Sequence, residues 1–392
     1  MAKRVLITFL GRVPKAEGQY RTTCYKWPTD NDKPCQPIQK VAFFGLDILR
    51  RMPEIDRVVV LGTPGSMWDH LFELDVSLAD KEEDLRLKLV DQVERQNVSQ
   101  SLLDQLQPVL AQAWGCQVRL EIISSALTAQ EQLGLFSELN NQVNADDRLI
   151  LDITHSFRHL PMIMLLVAMQ LKQLKGVQVD KVLYGMYDPD SQFAQVVDLK
   201  GLLDIADWMQ ALVTFKKDGD YGVFADLVDV PLLKEAAFFE RTTNPVKARE
   251  TLRGARAQLE EKRSTDPIWH YFGPDMLAGF AWIDQQARHR WEADLAWRYL
   301  DRKDYLRSIL YALESCISRE VSQLKRDHHD FAERQHAHDL LREKSQDYRK
   351  LNNLRNSMAH GTQTPRNDMK KTLKNEQALV DQLKRLYTSL NL

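Results

Sequence analysis

The chain has no run approaching the roughly 20 consecutive apolar residues that a membrane span requires, although 44% of its residues are hydrophobic. Its apolar side chains are therefore expected to fill the cores of a soluble protein that does not enter a membrane. Cysteine is scarce. Cys24, Cys35, Cys116 and Cys316 form no CxxC pair and have no histidine at zinc-ligand spacing, so neither a disulfide framework nor a metal site is expected. His328, His329, His336 and His338 crowd one segment, but Asp and Arg surround them and a solvated helix face is the expectation. There is no GxGxxG after any apolar run and no GxxxxGKS, which disfavours a dinucleotide cofactor and a P-loop for a triphosphate. No internal repeat or low-complexity tract is present. The net charge of -2 leaves no excess of positive charge, so any nucleic-acid contact must be local. The clearest basic stretch carries Arg342, Lys344, Arg349, Lys350, Arg355, Arg366, Lys370, Lys371 and Lys374.

At 392 residues the chain exceeds what one hydrophobic core usually supports, so two domains are expected. Its opening, MAKRVLITFLG, has a basic start and a short apolar run. The run Val5 to Leu10 is too short for a secretion signal and is rich in β-formers. It ends at Gly11, as a buried first strand does, and cytoplasmic residence is expected. The first half alternates such runs with amphipathic segments, the pattern of βα units and a mostly parallel sheet. Strands are predicted over Arg4 to Leu10, Arg57 to Leu61, Gln117 to Ile123, Arg148 to Ile153 and Lys181 to Tyr187. Beyond about residue 205 the strand signal stops and helical periodicity takes over, with Phe331 to Met358 reading as one segment. The expected division is 1–205, an α/β Rossmann-like domain, and 206–392, an all-α domain, with KKDGDYG at 216–222 as a connector.

The strand ending RLILD runs into ITHSFRHLP, which puts Asp152, Thr154, His155, Ser156 and Arg158 in a strand-to-helix turn. Amides at a helix N-terminus favour an anion, while hydroxyls and imidazole nitrogens can bond a sugar or base. Caps at Asp152 and Thr154 with a satisfied turn histidine would explain the same residues equally well. A second polar turn, RVVVLGTPGSMWD, tilts the balance by bringing Thr63, Gly65, Ser66, Met67 and Trp68 to the same sheet edge. Leu10, Gly11 and Arg12 follow the first strand there. Such loops can surround a nucleotide, with Trp68 or Met67 packing on a base. The segment DITHSFRHLP resembles the DxTHG motif of a family of CRISPR-associated proteins with a Rossmann-like CARF domain, and LGTPGSMWD resembles that family's second loop. The motif's glycine is Ser156 here. The resemblance implies a dimer that binds a cyclic oligoadenylate, cyclic tetra-adenylate being favoured. A ring with two-fold symmetry suits a pocket on a dimer axis.

Near the end, LNNLRNSMAHG separates Arg355 from His360 by four residues, and Gly361 and Pro365 mark a helix stop. On one helix these positions point about 140° apart, so a dyad that pairs two copies is the natural way to gather them. A surface arginine and a histidine favourable to the helix dipole would be the plain alternative. The spacing is similar to the RxxxxH motif of HEPN ribonucleases, and a helical domain after a CARF domain is that family's arrangement. The resemblance implies that Arg355, Asn356 and His360 cut single-stranded RNA without a metal or other required cofactor. It also implies a homodimer or a multiple of dimers, with no stable DNA binding. A signal receptor without nuclease activity, or a protein that degrades its own cyclic ligand, are the alternatives.

Overall fold

The computed structural model describes residues 2–16, 18–30, 40–72, 76–191, 193–262, 267–360 and 371–392. In chain order the first part runs β1 (Arg4–Leu10), β2 (Lys15–Ala16), β3 (Gln19–Tyr20), β4 (Cys24–Lys26), α1 (Phe44–Arg51), β5 (Arg57–Gly62), α2 (Val76–Lys81), α3 (Glu83–Glu94), α4 (Gln100–Trp114), β6 (Gln117–Ile122), α5 (Ala129–Asn141), β7 (Arg148–Asp152), α6 (Leu160–Lys175), β8 (Gln178–Met186) and β9 (Phe193–Asp198). Seven of these strands form one sheet in the order β4-β9-β8-β7-β1-β5-β6. Every pairing in it is parallel except β8 with β9.

Alternate residues of β1 explain why its sequence is almost continuously apolar. Val5, Ile7 and Phe9 pack into one hydrophobic layer and Leu6 and Leu10 into the other. A strand covered by helices on both faces loses the alternation that a half-exposed strand would show. The predicted strands are all present. β4 and β9 were not expected: β4 is a three-residue edge strand, and β9, between β4 and β8, runs antiparallel to β8 outside the repeating βα pattern. Cys24 on β4 is disulfide-bonded, which corrects the expectation of no crosslink; Cys35 lies outside the described residues.

The chain divides into two compact units, Met1–Asp204 and Ile205–Leu392. The division falls inside α7 (Gly201–Asp218), beside the expected 205/206 boundary, and the first three residues of KKDGDYG end that helix where a connector was expected. Continuing, the second unit holds α8 (Leu232–Arg241), α9 (Pro245–Lys262), α10 (Trp269–Ala278), α11 (Arg288–Asp301), α12 (Tyr305–Gln323), α13 (Phe331–Lys344), α14 (Gln346–His360) and α15 (Glu376–Ser389). Its described regular structure is entirely helical. Buried Glu240 ties three helices together: it accepts from the Tyr299 hydroxyl at 2.5 Å through its carboxyl and from Tyr311 at 2.7 Å through its main-chain oxygen. Burial raises the pKa of its carboxyl.

The expected single helix over Phe331 to Met358 is two helices. Ser345 has extended backbone (φ -118°, ψ 118°), and its hydroxyl accepts from Tyr348 N at 3.1 Å, opening α14. A serine that bonds the backbone of the next turn competes with helix continuation. The break has a large consequence. In a continuous helix, positions 338 and 348 would lie about 15 Å apart along the axis; here the His338 ring and the Tyr348 hydroxyl are 2.7 Å apart.

Candidate functional site

Strand order locates the first site. From β1 the chain runs outward through β5 to β6, then returns to β7 on the other side of β1 and on to β8. In open α/β sheets, ligands bind beyond the strand C-termini where the order reverses in this way. The loops after β1, β5, β6 and β7 line a cleft of about 440 Å³ there, within the range of small-molecule sites.

Glycine lets these loops close on one another. A Cβ on Gly11 would stand 2.9 Å from the His155 carbonyl oxygen, against the main chain of the β7 turn. The Gly11 carbonyl also accepts from Met67 N at 3.0 Å, which ties the β5 turn to the β1 loop. Within the β5 turn, the Ser66 hydroxyl accepts from Thr63 N at 2.9 Å, and Ser66 N donates to the Thr63 carbonyl at 3.0 Å. Trp68 Nε1 donates to that same carbonyl at 2.9 Å. Met67 and Trp68 are fully buried in the core and do not line the cleft. Their expected role as base-packing groups is therefore corrected: they hold the turn from beneath.

Asp152 is corrected in the same sense. Its carboxyl is fully buried, accepting from Thr8 Oγ1 at 2.6 Å and from Thr154 N at 2.9 Å. Burial pushes its pKa up to about 6 against the pull of those bonds. Asp152 thus joins β1 to β7 and shapes the turn without reaching the cleft. Thr154 lines the cleft and accepts from Gly185 N at 2.9 Å, fastening the turn to β8.

His155 reaches the cleft, but its ring is committed elsewhere. Nε2 accepts from Phe44 N at 3.1 Å and lies 3.1 Å from the Tyr25 hydroxyl, which requires the Nδ1-H tautomer. Burial, with smaller contributions from His70 and Arg21, lowers its pKa to about 4. The ring stays neutral at physiological pH and its basic nitrogen is occupied. Ser156 differs from its neighbours: its hydroxyl lines the cleft, is buried, and has no hydrogen-bond partner. A buried hydroxyl in that condition calls for a partner.

Arg158 is exposed and outside the cleft lining. The cation at the rim is Arg12, which forms no ion pair among the described residues. Gln96, Ile123 and Phe157 also line the cleft and were not anticipated. Ile123 could have been found as the residue after a strand, whereas Gln96 sits beyond α3 with φ of 55°, a position no motif marks. Beside this cleft, Phe157, Met162 and Leu166 expose apolar side chains, as do Tyr184 and Met186 on β8.

The second site lies on α14. Arg355 Nη2 donates to Asn352 Oδ1 at 3.0 Å, while its Nε is buried without a partner. Arg355 lines a cleft of about 290 Å³ among α12, α13 and α14. Asn356 is half-buried beside it, and His360 is exposed as the final residue of the helix, outside that cleft. Within one chain, Arg355 lines that cleft and His360 does not. Gly361, Pro365, Arg366 and Lys370 lie outside the described residues. His338, expected on a solvated face, is half-buried, hydrogen-bonded to Tyr348 and part of the Arg355 cleft.

Comparison with known proteins bears on both units. Residues 5–189 match the family described as the CARF domain of the CRISPR system endoribonuclease Csx1. The CRISPR-associated protein MJ1674 of Methanocaldococcus jannaschii is 27% identical over 283 residues. That alignment covers 66% of the chain, more than the first unit contains, so the likeness runs into the helical unit. It covers 44% of MJ1674, so the chain spans less than half of that relative's length.

Proposed function

Because the chain belongs to a CRISPR-associated, CARF-containing family, we propose that it is an endoribonuclease of type III CRISPR defence, switched on by a cyclic oligoadenylate and cutting single-stranded RNA without a metal. The observation that carries the reading is the order of the two sites. A cleft at the sheet's reversal point, holding a Ser156 hydroxyl and an Arg12 guanidinium without polar or ionic partners among the described residues, precedes a helix bearing Arg355, Asn356 and His360. In the first, Arg12 faces a phosphate while Ser156 and the Thr63–Ser66 turn bond sugar or base. A ring of four nucleotides exceeds one such cleft, so two chains each take half of it across the apolar face around Met162 and Leu166.

In the second site, a pair of α14 helices supplies both side chains to one RNA strand. His360 takes the proton of a ribose 2′-hydroxyl as its oxygen attacks the adjacent phosphorus. The bond from phosphorus to the 5′-oxygen breaks, the partner's imidazolium protonates that oxygen, and a 2′,3′-cyclic phosphate remains. The Arg355 guanidinium offsets the charge that builds on the phosphate, with Asn356 orienting it. DNA lacks the attacking hydroxyl and is spared. The assay is cleavage of a fluorescent single-stranded RNA in EDTA, with and without cyclic tetra-adenylate or cyclic hexa-adenylate. Stimulation of at least tenfold by one of them is expected; no cleavage under either would remove the reading. His155, with Nε2 engaged and its pKa depressed, is unsuited to act as a base toward the ligand, so the same incubation should return the cyclic oligoadenylate intact.

A further inference from the structure

The cleft beside Arg355 has a composition that the motif alone does not explain. Three helices each turn one stripe toward it at helical spacing: Leu310, Leu313 and Ile317 from α12, Phe331, Gln335 and His338 from α13, and Tyr348, Asn352 and Arg355 from α14. The α12 stripe makes an apolar floor. Phe331 stands at the start of α13 with 81% of its surface exposed, an unusual place for a large aromatic side chain. The single carboxylate lining the cleft, Glu314, is already engaged by Arg334. Arg355 has only the neutral Asn352 amide as a described partner, and its Nε is buried with none.

The imidazole of His338 meets the Tyr348 hydroxyl. Tyr348 is fully buried and its hydroxyl keeps its proton, since burial raises its pKa far above the ordinary range. It lies 2.7 Å from His338 Nδ1, where the phenol proton can be the donor. Burial lowers the His338 pKa, against the pull of Asp339 and with the help of the Arg342 and Arg355 charges. A neutral ring that accepts at Nδ1 carries its hydrogen on Nε2. In that tautomer His338 offers an N-H donor at Nε2.

We propose that this cleft is an RNA subsite for one unpaired nucleotide next to the scissile bond, with the base stacked on Phe331 over the apolar floor and its phosphate held by Arg355 and the His338 Nε2-H. The proposal rests on the nuclease reading given above. The chemistry is that of single-strand recognition: an aromatic face accepts any base, and a guanidinium with an N-H donor accepts a phosphodiester oxygen. A volume of about 290 Å³ suits one nucleotide and is too small for a duplex.

The test is steady-state cleavage of single-stranded RNA by the full-length, ligand-activated protein carrying Phe331→Ala, His338→Ala or His338→Gln. Ligand affinity and oligomeric state are measured in parallel. Phe331→Ala is expected to raise KM roughly tenfold, the order of one lost base-stacking contact, with kcat changed less than threefold. His338→Ala should raise KM similarly, and His338→Gln, which returns an N-H near the Nε2 position, should restore most of the loss. Inorganic phosphate should inhibit the wild type more strongly than His338→Ala. Unchanged KM in both alanine variants would overturn the subsite, and so would loss of activity through dissociation of the dimer. Arg355→Ala and His360→Ala serve as separate controls: if they cut RNA normally the nuclease reading fails, whereas their inactivity beside a normal Phe331→Ala removes only the subsite.

Discussion

Replacing His360 with alanine is expected to slow RNA cleavage by roughly 10³-fold, the middle of the range for removing a general acid or base, while leaving cyclic oligoadenylate binding unchanged. The two effects separate because His360 closes α14 in the helical unit, whereas every residue lining the sensor cleft lies between Phe9 and Leu160. His360 is also an exposed helix-terminal residue, so its truncation removes no core packing and thermal stability should stay within about 0.5 kcal/mol of the wild type. Cleavage of a labelled RNA under single-turnover conditions, together with a ligand titration of the same preparation, checks both halves. Residual activity above a tenth of the wild type would exclude His360 from the reaction.

The double substitution Met162→Asp with Leu166→Asp is expected to weaken cyclic oligoadenylate binding about 100-fold. These side chains are 68% and 55% exposed on α6, one turn apart, on the helix whose first residue, Leu160, lines the sensor cleft. Carboxylates there leave the hydrophobic core of the first unit untouched but, in the proposed dimer, place like charges against each other across its two-fold axis. If the ring spans two clefts, separating the chains removes half of its contacts and all of the activation. Sedimentation and ligand titration of the variant, beside its circular dichroism spectrum, test this. A monomer that still binds the ring at wild-type affinity would show that one chain holds the ligand by itself.

Much of the first unit was legible because parallel strands buried on both faces are short apolar runs ending in polar turns. Arg4 to Leu10 coincides with β1, and the other four expected strands each lie within a few residues of their observed bounds. The loops could be read as a ligand edge because β strands in such a sheet end on one side. What could not be read was the direction of side chains within a turn. Trp68 and Asp152 are as polar or as large as ligand-contacting groups, yet one lies in the core and the other is closed by Thr8, 144 residues away. Only tertiary packing decides this. Arg12 stood in the sequence as one loop cation among many; its place at the cleft rim follows from the fold.

In the helical unit the limits were different. A run of helix formers conceals its breaks, so the turn at Ser345 went unseen and with it the return of α14 onto α13. His338 and Tyr348 then looked unrelated, ten residues apart along one continuous helix. The hydrogen bond between them, and their shared cleft with Arg355, follow entirely from that break. The spacing of Arg355 and His360, by contrast, carried its own structural argument, since five positions along a helix cannot bring two side chains to one point.

That geometric argument has a direct test. Arg355→Ala and His360→Ala chains, each inactive alone, are mixed, exchanged into mixed dimers by brief dissociation, activated with cyclic oligoadenylate and assayed on single-stranded RNA. A cleft shared by two chains keeps one guanidinium and one imidazole in every mixed dimer, so cleavage should rise at least tenfold above either parent while staying below the wild type, which has both imidazoles. A mixture as inactive as its parents, with mixed dimers verified by mass, would contradict the shared site.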